Sequence, residues 1–364
     1  MDKGVTLNGN YYTLERLPQF VDTARTITEK EFYQEVVLFI EDWFSSSKFV
    51  TVHTSGSTGV PKELQVAKQR MVQSAKMTCT YFNLQKGDEV LLCMPIQYIA
   101  GKMMLVRTLV TQLSLWVVEP QGRPLKQFIM PLAFAAMVPL QLYNSLQFCE
   151  DKRRLESIQN ILVGGGAIDE SIEKEIGRFP NAVYSSYGMT ETVSHIAMRR
   201  LNGKQASAWY KPFPSVHLKQ TEEGALIIEA PLVAEEILKT NDVVDLKPDG
   251  SFRVIGRLDN IINSGGVKIQ AEKVEQKLRK LIHTPYVVTN VVDSRLGEAI
   301  TLLIESTSYS IQELKERCKT ALKPYEMPLH IFFVDAIPLT ETKKVDRAQC
   351  KTVAMAQFRK NRNR

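Results

Sequence analysis

Residues 158–166, Ile-Gln-Asn-Ile-Leu-Val-Gly-Gly-Gly, place a run of apolar, β-branched residues directly before a triple glycine. Residues 182–187, Ala-Val-Tyr-Ser-Ser-Tyr, form a second such run, and a helical periodicity from Asp169 to Arg178 lies between the two. A strand, a helix and another strand in this order predict a βαβ unit with parallel strands. We therefore expect an α/β domain.

The same alternation extends upstream of this unit. The pattern predicts strands at 49–52, 89–94, 113–118 and 134–138, and helices at 67–82, 101–110 and after Pro139. We expect the first of these strands to lead through a Ser/Gly/Thr-rich loop into the helix at 67–82, as one more unit of the same sheet. The first half of the chain thus predicts a large α/β domain.

The predicted secondary structure changes twice downstream of this domain. Beyond about Ser215, short strands are separated by the turn signals Glu223-Gly224 and Asp249-Gly250, which indicates a small β-rich subdomain. After Asp259, short strands accompany two amphipathic helices, at 271–282 and 311–322. We predict an N-terminal domain over residues 1–258 and a compact α+β C-terminal domain over 259–364.

The composition excludes several classes of protein. With 44% hydrophobic and 24% charged residues, the chain has enough apolar material for a large core, so intrinsic disorder is excluded. The longest apolar stretch, 128–143, contains two prolines and is shorter than the roughly 20 residues that cross a bilayer. No export signal opens the sequence. We expect no membrane association.

Cysteines and charge point to a cytoplasmic protein. The five cysteines are odd in number and form no Cys-x-x-Cys pair, a pattern typical of reduced thiols. The net charge of +6 is modest, and the last six residues contribute four positive charges. We interpret that cluster as a solvated tail and expect no nucleic-acid partner, because no aromatic or basic face accompanies it.

The first motif with chemical meaning lies between the strand at 49–52 and the helix at 67–82. Glycines in this stretch let successive backbone N–H groups point into one concavity, where hydroxyls and a lysine add donors and charge for a phosphate chain. It is not a Walker A loop, because Glu63 stands where that motif needs Ser or Thr. An ordinary solvated turn is the competing interpretation. The motif is Thr54, Ser55, Gly56, Ser57, Thr58, Gly59, Val60, Pro61 and Lys62.

The second motif, Tyr184 to Thr192, follows a predicted strand at the edge where open α/β sheets bind ligands. Thr190 and Glu191 combine a hydroxyl with a carboxylate, a pair that suits a phosphate oxygen and Mg²⁺, since Mg²⁺ binds few carboxylates together with phosphate oxygens and water. The alternative is a helix start with Thr190 as the cap.

Two further segments carry charged side chains near glycines or turns. Asp242 suits a ribose diol, and Gly265-Gly266, followed by Lys268, permits close approach of another chain or a ligand. Residues 338–347, Pro-Leu-Thr-Glu-Thr-Lys-Lys-Val-Asp-Arg, present lysines near the C-terminus. Taken alone, each segment is also compatible with ordinary turns and solvated loops.

Together and in this order, the four segments resemble the adenylate-forming superfamily of acyl- and aryl-CoA synthetases, luciferases and adenylation domains. Within it, residues 187–196 and 95–107 look most like the o-succinylbenzoate–CoA ligases of menaquinone synthesis. The resemblance implies that an acid is adenylated by ATP with Mg²⁺ and that its acyl group then passes to CoA.

The resemblance also implies roles for individual residues. The loop 54–62 would hold the β- and γ-phosphates, Thr190 would contact the α-phosphate, and Glu191 would hold Mg²⁺. Lys344 would bridge the attacking carboxylate and the α-phosphate. The adenine and acyl pockets would use Gly164, Gly165, Gly166, Ser186 and Tyr187, and the ribose contacts would be Asp242 and Arg257.

A turn of the C-terminal domain about Asp259 would withdraw Lys344 after adenylation and bring Gly265, Gly266 and Lys268 to the site. The C-terminal domain is accordingly expected to be a mobile lid. Arg107 aligns with an arginine associated with the second carboxylate of the acid, although a helix-surface arginine is the alternative. Tyr98, at a position where related ligases often have His, would also contact the acid.

Several departures from the family pattern leave alternatives open. Only 53 residues precede Thr54, so part of the usual N-terminal α/β region is expected to be missing. Asn241 and Lys343 stand where the family commonly has Gly, and Ala271 replaces a common Pro. Another acid, a carrier protein in place of CoA, a homodimer, and a nucleotide-binding protein without turnover remain open.

Overall fold

The computed structural model describes residues 3–53, 63–126, 128, 130–305, 308–340 and 344–362. The phosphate loop predicted at Thr54–Lys62 lies outside these residues, as does Lys343.

The elements up to residue 212 are β1 Gly4–Leu7, β2 Asn10–Thr13, α1 Ile27–Phe44, β3 Phe49–His53, β4 Glu63–Ala67, α2 Lys68–Tyr81, β5 Glu89–Leu92, α3 Ile99–Thr111, β6 Ser114–Val117, β7 Leu132–Met137, α4 Pro139–Leu146, α5 Cys149–Glu156, β8 Ile158–Val163, α6 Glu170–Ile176, β9 Ala182–Gly188, β10 His195–Arg200 and β11 Lys211–Pro212. The remaining elements are β12 His217–Gln220, β13 Ala225–Glu229, β14 Leu238–Leu246, β15 Phe252–Arg257, β16 Ile261–Ser264, β17 Val267–Gln270, α7 Ala271–Leu278, β18 Tyr286–Asp293, β19 Gly297–Glu305, α8 Ile311–Ala321, β20 His330–Val334 and α9 Arg347–Arg362.

The largest sheet has nine strands in the order β11-β10-β9-β8-β7-β5-β6-β1-β2. Its six central strands, from β9 to β1, pair in parallel, and antiparallel strands complete both edges. Side chains of one strand alternate between the two faces. Accordingly, Val90 and Leu92 join one buried cluster and Leu91 joins the other. The predicted α/β fold class is confirmed.

The prediction that the strand at 49–52 belongs to the large sheet is wrong. This segment is part of β3, which pairs antiparallel with β4 in a separate two-stranded sheet. The expected direct passage from loop to helix is also wrong, because β4 lies between the loop and α2. Residues 63–67 alternate in burial, with Val66 buried, and this period of two is that of a strand.

A four-stranded antiparallel sheet, in the order β12-β13-β14-β15, forms the β-rich part that the turn signals predict. Leu226, Ile228 and Phe252 from this sheet are fully buried in the same cluster as Val90 and Leu92. The β-rich part therefore shares its core with the large sheet.

The C-terminal sheet has five strands, with β20 added in parallel to β19. Helices α7 and α8 bury Val274 and Leu314 on one face. On the other face, α9 buries Cys350 and Ala354, which are four residues apart and so lie on one side of the helix. The solvated tail expected at the C-terminus is helical: Arg359 and Lys360 are exposed but belong to α9.

The four buried clusters separate along the chain. The two clusters of the large sheet contain no described residue beyond Phe252, and the two C-terminal clusters begin at Ile262. We keep the ranges 1–258 and 259–364 as the proposed domains. No helix in the described part of the chain is both long and apolar enough to cross a bilayer.

Candidate active site

The triple glycine and Ser186 meet at the carboxyl edge of the large sheet. Val163, the last residue of β8, pairs in parallel with Ser185 of β9, so the segments that follow both strands lie side by side. A Cβ atom on Gly164 would lie 2.6 Å from Ser186 Oγ. Gly165 has a φ of +83°, in the left-handed region that favours glycine. The fold therefore brings together two of the predicted nucleotide-binding segments, although Ser186 comes 20 positions after Gly166 in the sequence.

Tyr187 connects this edge to the β-rich sheet. Its hydroxyl donates a hydrogen bond of 2.6 Å to Asp242 Oδ2. Burial, followed by the negative charge of Asp242, raises the pKa of Tyr187, so the phenol keeps its proton and acts as a donor. Arg257 Nη1 donates to the other oxygen, Asp242 Oδ1, at 2.9 Å. The two predicted ribose contacts are therefore direct partners.

Arg257 also contacts the residue predicted as the hinge. Its Nη2 atom donates to Asp259 Oδ2 at 2.8 Å, and Asn241 Nδ2 donates to Asp259 Oδ1 at the same distance. One guanidinium thus bridges the carboxylate predicted to bind ribose and the carboxylate predicted at the hinge. Arginine suits this position because its planar fork can bind two acceptors at once.

Thr190, Glu191 and Thr192 form a short 3₁₀ turn directly after β9. The buried Thr192 hydroxyl holds this turn: its oxygen lies 3.0 Å from the carbonyl oxygen of Met189 and 2.8 Å from that of Ser194, the two acceptors for its one hydrogen. Glu191 is exposed. Among the described residues, no group of three or more His, Cys, Asp and Glu side chains converges as a metal site. An exposed carboxylate beside the hydroxyl predicted to bind phosphate nevertheless fits Mg²⁺, which takes its other ligands from phosphate and water.

The chain reverses sharply after this turn, at Val193. Its φ is +64° and its ψ is −51°, and the amide of Ser194 donates to the carbonyl of Thr192 at 2.6 Å. This is a γ-turn with positive φ, a rare and strained conformation for a β-branched residue. Such strain costs on the order of 1–3 kcal/mol and is concentrated at functional sites. The turn fixes the positions of Ser194 and His195 relative to Thr190 and Glu191.

Arg107, predicted as an acid-binding residue, is a buried cation on α3. Its side chain is among the largest fully buried ones, with 2% of the residue exposed. Nη2 donates to Ser194 Oγ at 3.0 Å and Nη1 contacts Met104 Sδ at 3.5 Å, whereas Nε has no partner among the described residues. The interpretation as a helix-surface arginine is therefore wrong.

No described carboxylate pairs with Arg107. Burial lowers its pKa to about 10, so the group stays charged at neutral pH. Buried charges in proteins are normally paired, because removal from water is costly without a counter-charge. Among the described residues, this guanidinium thus lacks the counter-charge that a buried cation normally has.

His195 extends the polar cluster around Arg107. Its Nδ1 lies 3.1 Å from Ser194 Oγ, and its Nε2 lies 3.0 Å from Thr78 Oγ1 on α2. Burial, followed by the charge of Arg107, lowers the pKa of His195 well below its usual value, so the ring is neutral. Sequence reasoning assigned no role to Ser194, His195 or Thr78, since the cluster joins residues 87 and 117 positions apart.

Tyr98, the other predicted acid-pocket residue, precedes the first residue of α3 and is half-buried. At this end of α3 the backbone packs closely: a Cβ atom on Gly101 would lie 2.3 Å from the carbonyl oxygen of Pro95. The segment 95–107 thus places Tyr98 at the start and Arg107 in the buried part of one helix.

Lys344 is exposed and follows the last strand of the C-terminal sheet in the chain. Leu339 forms a bridge with Val345, and the amide of Thr340 donates to the carbonyl of Lys344 at 2.7 Å. Desolvation by surrounding protein lowers the pKa of the Lys344 amine. Three residues on, Arg347 Nη2 donates to Glu275 Oε2 on α7 at 2.7 Å. Helix α7 therefore fixes the position of Arg347, which begins α9 shortly after Lys344.

The Gly265-Gly266 pair connects β16 and β17, with φ values of +57° and +81°. A two-residue hairpin turn with both φ values positive is favourable for glycine. Lys268, in β17, is exposed. The residues predicted to approach the site in the thiolation step thus belong to one short hairpin, with the two glycines at its tip and Lys268 in its second strand.

Comparison with known proteins identifies the family of this chain. The model of the family described as AMP-binding enzyme matches residues 25–229, more than half of the chain. This chain belongs to the AMP-binding enzyme family. The family predicted from the four ordered motifs is thereby confirmed.

This AMP-binding enzyme is similar to 2-succinylbenzoate–CoA ligases of bacteria. It is 26% identical over 406 residues to the ligase of Bacillus subtilis (strain 168), with 96% of this chain and 82% of the relative covered. It is also 26% identical over 376 residues to the ligase of Bacillus pumilus (strain SAFR-032), with 94% and 74% covered.

Solved structures of relatives share its fold. An acyl-CoA synthetase (AMP-forming)/AMP-acid ligase II-like protein from Dyadobacter fermentans is 33% identical, with a TM-score of 0.61 and with 92% of this chain and 97% of that chain covered. The o-succinylbenzoate CoA synthetase of Bacillus subtilis, in complex with the acyl-adenylate intermediate OSB-AMP, is 25% identical. Its TM-score is 0.72, and the match covers 83% of this chain and 68% of that chain.

Proposed function

We propose that this AMP-binding enzyme is an acid–thiol ligase that converts 2-succinylbenzoate to its CoA thioester, as in menaquinone biosynthesis, through an acyl-adenylate. One observation carries the choice of acid: the buried guanidinium of Arg107 has no carboxylate partner among the described residues. The curated relatives named above support the same substrate.

In the first half-reaction, a carboxylate oxygen of the acid attacks the α-phosphorus of ATP, and pyrophosphate leaves with the electron pair of the broken P–O bond. Charge develops on the phosphoryl oxygens during this displacement, so catalysis depends on positioned donors and cations. We assign Thr190 and Lys344 to the α-phosphate. Mg²⁺ would be held by Glu191 and phosphate oxygens, and would supply charge neutralisation there.

The nucleotide would lie across the carboxyl edge of the large sheet. Asp242 keeps acceptor capacity for the ribose hydroxyls, since a carboxylate has about four acceptor sites and Tyr187 and Arg257 use two. Gly164, Gly165, Gly166, Ser186 and Tyr187 would form the wall shared by adenine and the acyl group. The loop 54–62 remains assigned to the β- and γ-phosphates.

In the second half-reaction, the thiol of CoA attacks the acyl carbon of the adenylate, and AMP leaves. We assign the change between the steps to rotation about Asp259, which replaces Lys344 at the site with the hairpin of Gly265, Gly266 and Lys268. Lids that reorganise between steps are a known way of gating reactions.

The acid itself has two carboxylates, one to be activated and one to be recognised. Arg107 is suited to the second because its fork can bind a carboxylate through two N–H groups and keeps its charge when desolvated. Its hydrogen bond to Ser194 links it to the segment that follows the turn of Thr190 and Glu191. In this proposal the second carboxylate is held at Arg107 while the first is presented to the reacting groups, with Tyr98 at the wall of the pocket.

The partners in this proposal are small molecules: the acid, ATP and CoA. A cytoplasmic location and a homodimer belong to the same proposal. The free cysteines of the chain, four of them buried, agree with a reducing compartment.

Release of pyrophosphate across a panel of acids tests the proposed function. We expect 2-succinylbenzoate to support release that depends on ATP and Mg²⁺, and CoA to discharge the adenylate. Benzoate and medium-chain fatty acids, which lack a second carboxylate, should be poor substrates. Turnover of those acids with none of 2-succinylbenzoate would contradict the choice of acid but not the adenylation.

A further inference from the structure

A row of hydrogen bonds leads from Arg107 across Ser194 and His195 to α2. Arg107 Nη2 bonds to Ser194 Oγ, which in turn bonds to Nδ1 of His195. On the other side of the ring, Nε2 bonds to Thr78 Oγ1, which bonds to the carbonyl of Ser74. Each of its links is between 3.0 and 3.1 Å long. Arg107, Thr78 and His195 are all buried, so water does not substitute for these partners.

The positions of the hydrogens in this row follow from its two ends. The carbonyl of Ser74 only accepts, so the single hydroxyl hydrogen of Thr78 is donated to it. Thr78 Oγ1 must then accept from His195 Nε2, which places a hydrogen on Nε2.

The hydrogen bonds at the Arg107 end of the row lead to the same tautomer of His195. Arginine only donates, so Ser194 Oγ accepts from Arg107 Nη2 and keeps its own hydrogen for His195 Nδ1. A neutral imidazole has one donor and one acceptor nitrogen, and both ends of the row assign Nδ1 as the acceptor. A second proton on the ring would place a hydrogen against the Ser194 hydroxyl and a charge near Arg107.

We infer that Thr78 and His195 are positioning residues for recognition of the second carboxylate of the acid: they hold Ser194 with its lone pair turned toward Arg107, which fixes the guanidinium. The inference rests on the proposed role of Arg107. It further implies that the carboxylate binds to N–H groups of Arg107 and not to the Ser194 hydroxyl, whose hydrogen is donated to His195.

A matched pair of variants separates positioning from packing. Thr78→Val keeps the shape of the side chain and removes the acceptor for His195 Nε2. Thr108→Val is the control, because Thr108 is also a buried helical threonine whose hydroxyl donates to the carbonyl four residues back, at 2.9 Å, but it has no histidine partner. Thr78→Ser restores the hydroxyl.

The first measurement is KM for 2-succinylbenzoate and for ATP in pyrophosphate release. We expect Thr78→Val to raise KM for the acid about tenfold, as for loss of one buried hydrogen bond, while KM for ATP and kcat stay within about twofold. Thr78→Ser and Thr108→Val should have normal values. An unchanged KM for the acid in Thr78→Val would overturn the inference, as would an equal rise in Thr108→Val.

The second measurement is the histidine tautomer in the unmodified, ligand-free protein, by NMR with ¹⁵N-labelled histidine. His195→Asn identifies the resonances among the five histidines. We expect the Nε2–H tautomer, and the Nδ1–H form would overturn the inference even where Thr78→Val fails to fold. Absence of turnover with 2-succinylbenzoate would instead contradict the proposed function, and the tautomer would remain a separate result.

Discussion

Arg257 Nη1 lies 2.9 Å from Asp242 Oδ1, and the two residues are directly opposite each other on β15 and β14. The second nitrogen of the same fork binds Asp259. The proposed ribose site and the proposed hinge thus share one guanidinium. Binding of the nucleotide at Asp242 and rotation about Asp259 are expected to influence each other through it.

Arg257→Lys tests this arrangement, because an ammonium group does not provide a planar fork for two carboxylates. We expect KM for ATP to rise about tenfold, with a smaller change in KM for the acid. Arg253→Lys is the control, since Arg253 forms a comparable pair with Asp245 across the same two strands but on an exposed site. Equal effects of the two substitutions would argue against a role in the site.

Lys344→Ala should separate the two half-reactions. Loss of the cation from the adenylation step is expected to reduce adenylate formation by about 10²–10³-fold. Thioester formation from preformed adenylate should stay near normal, because the lysine is withdrawn in that step. The rates of both half-reactions are compared with those of Lys343→Ala, and a reversed pattern between the two variants would show that the wrong lysine is assigned.

Glu191→Gln should weaken the dependence on Mg²⁺, because the metal loses an anionic ligand. We expect slower adenylation and a shift of the rate curve to higher Mg²⁺ concentration. Glu223→Gln, another exposed glutamate on a turn, serves as the control. A curve identical to that of the unmodified protein would leave Glu191 with a purely structural role in the 3₁₀ turn.

Gly188→Ala should destabilise the fold at the site. A Cβ atom there would lie 2.3 Å from the carbonyl oxygen of Ser194 and 2.5 Å from Cα of His195, both of which belong to the backbone. Forcing these strands apart should cost about 1–3 kcal/mol in the free energy of unfolding. A Cβ atom on Gly166 would lie 3.6 Å from its nearest neighbour, Pro139 Cγ, so Gly166→Ala should change the free energy of unfolding little. Denaturant unfolding of the two variants measures the difference.

The central strands of the large sheet were predictable from the sequence because each is a distinct apolar run. Strands β5 to β9 lie within about two residues of their predicted ranges, since each is a short apolar run bounded by turn residues. Residues 63–67 have no boundary residue before α2, and their strand depends on pairing with β3. Helix α9 was missed because charge is dense near its end and few of its residues are buried.

The contacts that join the candidate site were not predictable in this way. Tyr187 and Asp242 are 55 residues apart, and Arg107 and Ser194 are 87 apart. Neither pair has a local pattern, since each contact depends on how separate elements pack. The resemblance to a family assigned Arg107 a role from its position alone, whereas its burial and its lack of a carboxylate partner among the described residues come from the structure.

The central claim, that Arg107 recognises the second carboxylate of the acid, is tested most directly by Arg107→Met, which keeps an unbranched side chain in the buried site. The measurement is kcat/KM for 2-succinylbenzoate and for benzoate in both proteins, with KM for ATP alongside. We predict that the substitution lowers kcat/KM for 2-succinylbenzoate by the equivalent of about 2–5 kcal/mol and leaves the value for benzoate and KM for ATP nearly unchanged. An equal loss for both acids, or no loss for 2-succinylbenzoate, would contradict the claim.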